Sequence, residues 1–257
     1  MKDQVHHSAA AGYKVGADTY VRGRPDYPAQ VADWLTVTLE LNADKTVLDL
    51  GAGTGKFTGQ LVATGAQVIA VEPVPQMLEK LSEAFPEVLA VSGTATDLPL
   101  PDASVDVVVC AQAFHWFAST EALTEIARVL KPGGKLGLVW NLRDAKVSWM
   151  PKLDAIVNAL EGDTPRYYTG AWREAFPHQA FGPLQVQYFS HGHTGSLEDV
   201  IFNRVRSISY IAALPVAERA KVDAQLRALI AGEPALRGRD VVTVPYETVA
   251  FVAVKDR

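Results

Sequence analysis

Short apolar runs alternate along the chain with stretches whose apolar residues recur every three or four positions. The runs are strand-length: Thr46–Leu50, Gln67–Val71, residues 88–91, Val105–Ala111 and residues 135–140. Between them the helical period predicts helices over residues 55–64, 75–85 and 120–130, the second with Met77, Leu78 and Leu81 on its apolar face. Val105–Ala111 is apolar almost throughout, as in a strand covered on both faces of a parallel sheet. Lys131-Pro132-Gly133-Gly134 ends the third helix. This rhythm predicts an α/β fold with an open, mostly parallel sheet, helices on both faces and right-handed crossovers.

Outside that region the pattern changes. Residues 1–28 read as an irregular arm, and Pro28 then opens a helix to about Leu41 with Val31, Trp34, Leu35, Thr38 and Leu39 on one face. From about Val147 to Phe176 the chain looks helical and carries Trp149, Tyr167, Tyr168 and Trp172, the pattern of an insertion or cap after the fifth strand. A strand at 184–189, helices over 197–230 with a stop at Leu214-Pro215, and a strand at Val241–Val254 complete seven strands, the last two an antiparallel hairpin. One domain is expected over residues 1–257: arm and helix to 43, core 44–143, helical insertion 144–182, C-terminal helices and strands 183–257.

Composition narrows the function. Lys and Arg number 24 against 29 Asp and Glu, a formal net charge of −5, which disfavours nucleic-acid binding by bulk charge. The single cysteine, Cys110, excludes an intrachain disulfide and fits a reducing cytoplasm. No run approaches the roughly 20 apolar residues of a bilayer span, so no membrane association is expected. His191-Gly192-His193 lacks a third ligand nearby, and no metal site is read there.

The chemistry lies in Val47-Leu48-Asp49-Leu50-Gly51-Ala52-Gly53-Thr54-Gly55-Lys56, where a strand enters a glycine-rich turn that opens a helix. Glycines let backbone approach a ligand, and open α/β sheets bind ligands beyond the carboxyl ends of their strands. Glu72, at the end of the second strand, is placed to accept hydrogen bonds from ribose hydroxyls. The loop is neither the dinucleotide G-x-G-x-x-G nor a phosphate-binding loop. Asp49 would repel a pyrophosphate and attract an ammonium or sulfonium.

These residues resemble the class I S-adenosylmethionine-dependent methyltransferases, which have a Rossmann-like fold. Asp49 to Gly55 and Glu72 carry the likeness, with Gly93-Thr94-Ala95-Thr96-Asp97-Leu98-Pro99, Ser104 to Val108 and Ile126 to Gly134. Tyr20, Arg24-Pro25-Asp26-Tyr27-Pro28 and Phe114-His115-Trp116-Phe117 resemble the small-molecule branch called type 11, which includes trans-aconitate-methyltransferase-like proteins. The resemblance implies S-adenosyl-L-methionine as cofactor. It implies Gly51, Ala52, Gly53 and Gly55 along the methionine and sulfonium, Asp49 at the amino group, Glu72 at the ribose, and Thr94 and Ala95 at the adenine. Many relatives carry Asp in place of Thr94, and Asp97 stands three residues further on.

Residues after the fourth strand, beginning with Gln112, should face the transferred methyl. The Asn- or Asp-Pro-Pro-aromatic pattern of exocyclic base amine methylation is missing there, which argues against nucleic acid as acceptor. His115 is the candidate general base or substrate orienter. Tyr20, Arg24, Trp116, Asn141 and Arg143 are candidate acceptor contacts, the arginines suiting an anion. Arg143 has Asp144 or Glu174 as alternative partners. The expected function is in-line methyl transfer to a small-molecule acceptor, a carboxylate or a hydroxyl, by a monomer or homodimer. A binding protein without turnover and a nucleotide-dependent dehydrogenase are the rival readings.

Overall fold

The structure, a computed structural model, describes residues 24–256. Its strands are β1 Thr46–Leu50, β2 Gln67–Val71, β3 Leu89–Val91, β4 Val105–Ala111, β5 Leu130–Arg143, β6 Gln185–Ser196 and β7 Val241–Val254. They form one sheet in the order β3-β2-β1-β4-β5-β7-β6. β1 to β5 pair in parallel, and β7 runs antiparallel to both β5 and β6. The mostly parallel, seven-stranded architecture is the one the pattern predicts. The antiparallel closing pair is present too, but residues 197–240 join it through helices rather than a tight turn.

The helices begin where local chemistry favours them. The expected helix 28–41 is realised as α1 Gln30–Asp33, which widens into a π turn at Trp34–Thr38. Val31, Trp34, Leu35 and Leu39 are buried on its inner face. The helix expected at 55–64 shortens to α2 Thr58–Val62. Its first residues stay in the loop because Gly51, Gly53 and Gly55 hold φ of 72, 59 and 87°, angles outside the helical region. α3 Pro75–Ala84 has proline in its first turn, where the missing donor is harmless. α4 Thr120–Val129 is capped by Ser119, whose hydroxyl accepts from the Ala122 N–H at 3.1 Å.

Two apolar clusters cover the two faces of the sheet. One holds Leu48, Val108, Phe114, Leu123, Trp140 and Phe251, the other Trp34, Leu35, Val47, Leu61, Leu81 and Val109. A third is separate from them. There α5 Met150–Asn158 and α6 Val216–Gly232 pack with Val205, Ile211 and Tyr246 into a helical cap. Trp149 lies in this cap core at 3 % exposure and supports the cap. Tyr167–Thr169 and Ala171–Ala175 are short 3-10 segments rather than part of a long helix. No described helix is long and apolar enough to cross a membrane.

Candidate active site

The strand order reverses between β1 and β4, and a cavity of about 590 Å³ opens there, at the carboxyl ends of the strands. This is where an open α/β sheet exposes backbone groups that no further strand covers.

Asp49, the fourth residue of β1, is pinned between β2 and β4 at 1 % exposure. Its Oδ2 accepts from the Thr58 hydroxyl at 2.7 Å, while Oδ1 is buried with no hydrogen-bond partner. Burial raises its pKa from 3.8 to about 7, with the Glu72 charge adding to the shift and the Thr58 bond opposing it. Glu72, 5 % exposed, ties the loop together. Its Oε2 accepts from Gly53 N–H at 2.9 Å and its Oε1 from Val74 N–H at 3.0 Å. Burial pushes Glu72 up as well. Each of its oxygens keeps an acceptor position beyond the backbone bond.

The three glycines are not equivalent. A Cβ on Gly51 would stand 2.7 Å from the Ala113 Cβ, so that glycine lets β1 pass close to the chain after β4. Beside Gly53 the space is open, with nothing nearer than Met77 Sδ at 4.0 Å. A Cβ on Gly55 would come 2.8 Å from the Phe85 ring, and Gly55 does not line the cavity. It packs the loop on α3, whereas the other glycines expected along the cofactor, Gly51 and Gly53, line the cavity. Ala52, Thr94 and Ala95 do line the cavity, and Asp97 does not.

On the other side of the cavity, Gln112 holds a φ of 58°, unusual for a side chain with a Cβ. Its N–H donates to Val139 O at 2.8 Å and its Nε2 to Asn141 O at 3.3 Å. That bend turns the chain from β4 into the short 3-10 turn Phe114–Trp116, which brings His115 and Trp116 to the cavity wall. Trp140 Nε1 donates to His115 Nδ1 at 3.0 Å. An indole N–H can only donate, so the neutral imidazole carries its proton on Nε2. Desolvation, with Arg166 and Arg24 nearby, pushes the His115 pKa down to about 3. His115 is thus a neutral donor through Nε2–H, and the general-base role does not fit it.

Asn141 accepts from the Thr248 hydroxyl at 2.5 Å and donates to Asp26 O at 3.3 Å. This anchors the first described residues over the cavity. Arg24 lines the cavity and donates to Ser207 O at 3.0 Å. Tyr20 lies outside the described residues. Arg143 does not reach the main cavity. It faces a smaller annex of about 80 Å³, and its Nη2 lies 2.5 Å from Asp154 Oδ1, a partner different from the expected Asp144 or Glu174. Trp172 lines the main cavity, and Tyr167 and Tyr168 line the annex.

Two annex residues escaped the sequence reading. Arg166 donates to the Tyr210 hydroxyl at 2.5 Å. Arg204 has Nε and Nη1 shut off from solvent without a hydrogen-bond partner. Burial, with Arg24 and Arg143 adding repulsion, lowers the Arg204 pKa to about 10 against an opposing contribution from Tyr246. The signal for Arg204 was present. It stands three and four residues after the buried Ile201 and Val200, a charge breaking into a buried helical stripe.

The comparisons with known proteins agree with this geometry. Residues 48–138 match a methyltransferase domain. A methyltransferase-like protein of Schizosaccharomyces pombe, itself uncharacterized, is 40% identical over 95% of this chain and 95% of its own length. An uncharacterized methyltransferase of Mycobacterium tuberculosis is 41% identical over 96% of each chain. Among solved structures, the YcgJ protein of Bacillus subtilis superimposes with a TM-score of 0.55 at 21% identity, covering 90% of this chain and 100% of that one. Near-complete coverage at 40% identity, the domain match over β1 to β5 and the shared sheet place this chain in the class I, type 11 methyltransferase family.

Proposed function

We propose that the chain transfers a methyl group from S-adenosyl-L-methionine to a small-molecule acceptor by direct in-line displacement. The observation that carries the reading is the acidic crevice. The unpartnered Asp49 Oδ1 and the two half-used Glu72 oxygens line a cavity large enough for a nucleoside ligand. Asp49 suits the ligand's ammonium, Glu72 its ribose hydroxyls, and the open side of Gly53 its close approach. Thr94 and Ala95 line the same cavity and would edge the adenine. When bound, the cofactor supplies an activated methyl sulfonium, so the protein needs mainly to position the acceptor and exclude water.

His115 and Trp116 shape the acceptor side, with His115 orienting the acceptor through its Nε2–H. A base at that position is then unavailable, which favours an acceptor atom that is nucleophilic without losing a proton to His115. A carboxylate meets that requirement, and an unionised hydroxyl does not.

The test is calorimetric titration of the protein with S-adenosylhomocysteine and with NAD. Binding of the first, abolished or strongly weakened in Asp49→Ala, with no heat from the second, is the expected result. Heat from NAD alone would transfer the chain to the dehydrogenase reading. Radiolabelled methyl transfer across a panel of carboxylic acids then separates an enzyme from a binding protein without turnover.

A further inference from the structure

The annex shares Arg24, Gln112, His115, Trp116, Asn141 and Arg204 with the main cavity but none of the glycine loop, Asp49 or Glu72. It is therefore an extension of the acceptor side. At about 80 Å³ it has room for one functional group, not a whole acceptor.

Its walls are cationic. Arg24, Arg143, Arg166 and Arg204 all face it. Arg166 is occupied by Tyr210 and lies 3.7 Å from Glu161. Arg143, 7 % exposed, uses Nη2 on Asp154 and leaves Nε and Nη1 buried without partners. Arg204 forms no ion pair with a described carboxylate; the Tyr246 hydroxyl interacts with its guanidinium, and its Nε and Nη1 are buried without a hydrogen-bond partner at normal geometry. Two guanidiniums with unanswered donors thus converge on one small space. Buried donors of this kind are nearly always paired in native proteins, and guanidinium forks match planar or tetrahedral oxyanions. Arg204 comes from the chain after β6 and Arg143 from the end of β5, so the tertiary fold alone brings them together.

We propose that this annex recognises an oxyanion, a carboxylate or phosphate group of the acceptor, held by Arg204 and Arg143 with the His115 Nε2–H beside it. The word acceptor rests on the methyl-transfer reading, while the anion site itself does not. Such an anion next to Gln112 and His115 anchors the acceptor where the two cavities meet.

The experiment uses the whole chain saturated with S-adenosylhomocysteine, whose own binding is measured first. Succinate, inorganic phosphate and neutral succinamide are then titrated separately. The expected result is that succinate or phosphate binds at least about tenfold more tightly than succinamide, and that Arg204→Gln removes that tenfold, worth about 1.4 kcal/mol. S-adenosylhomocysteine affinity should change much less in the same variant, because Asp49 and Glu72 are bonded to Thr58, Gly53 and Val74 and not to Arg204. Preference for succinate identifies a carboxylate, preference for phosphate a phosphate ester, and either supports the site. Arg204→Lys, which keeps the charge and loses the fork, should fall between wild type and Arg204→Gln, and it serves in place of the latter if that variant does not fold. Anions binding no better than succinamide, or binding equally well to both Arg204 variants and wild type, would overturn the proposal. Anion binding that depends on Arg204 in a chain that ignores S-adenosylhomocysteine would keep the anion site and discard the methyl-transfer reading.

Discussion

The two halves of the cavity are built in opposite ways. The loop half is acidic and nearly contiguous: Asp49, Gly51 and Gly53 share one turn, and Glu72 joins them through backbone bonds to Gly53 and Val74. The acceptor half is cationic and dispersed, assembled from Arg24, His115, Asn141, Arg143, Arg166 and Arg204. In the first, buried charge is partly answered by backbone N–H groups of the same loop. In the second, Nε and Nη1 of Arg143 and of Arg204 lack hydrogen-bond partners, and the two residues come from distant parts of the chain. Each half keeps buried groups without partners: on the acidic side a single carboxylate oxygen, Asp49 Oδ1, which suits a cationic group, and on the other side guanidinium donors, which suit an anion.

Asp49 provides the strongest probe of the acidic half. Its folded pKa, about 7, lies above the unfolded 3.8, so the folded chain holds a proton where the unfolded chain has lost it. Asp49 therefore makes the ligand-free protein less stable as pH rises from about 4 to about 7, by on the order of 4 kcal/mol, and adds no further change above that range. Urea unfolding of wild type and Asp49→Asn across this range should show the difference between them growing in that sense. A constant difference would mean that Asp49 is already ionised in the folded chain.

Gly51→Val tests the close approach of the loop. A side chain at φ 72° with its Cβ 2.7 Å from Ala113 should cost about 3 kcal/mol or more, read as a lower urea midpoint. Glu72→Ala removes the acceptor for two backbone donors and should weaken S-adenosylhomocysteine binding about 100-fold, while Glu72→Gln should lose less. On the cationic side the expected change is smaller. Trp140→Phe frees His115 Nδ1 and should cost only several-fold in turnover. It should leave the pH–rate profile without an acid limb near neutrality, because the burial and the Arg166 and Arg24 charges that hold the His115 pKa near 3 stay in place. Wild type should lack that limb for the same reason, and an acid limb near pH ~6 in either protein would mean that His115 is not held neutral by its surroundings.

This contrast also sets what could be read from the chain. β2, β4 and β7 fall where the apolar runs place them, and the loop acids were identifiable because their spacing is local. Helix α2 starts later than its pattern because three successive glycine angles keep the loop open. Gly55 looks like a ligand contact in sequence, and only Phe85, thirty residues away, reveals it as a packing position. The Trp140–His115 bond, which decides the tautomer, links the ends of two different strands. Arg166 and Arg204 sit in segments whose approach to the cleft depends on the packing of the helical cap. No periodicity encodes that approach.

The central claim is that a buried, protonatable Asp49 at the mouth of β1 receives a cationic ligand. Calorimetry of S-adenosylhomocysteine binding at pH 7, in two buffers of different ionisation enthalpy, addresses it directly. With the Asp49 pKa near 7, the ligand's ammonium should draw the carboxyl into its charged form and release about half a proton, and Asp49→Asn should abolish the release. Absence of binding, or equal proton release from wild type and variant, would contradict the account.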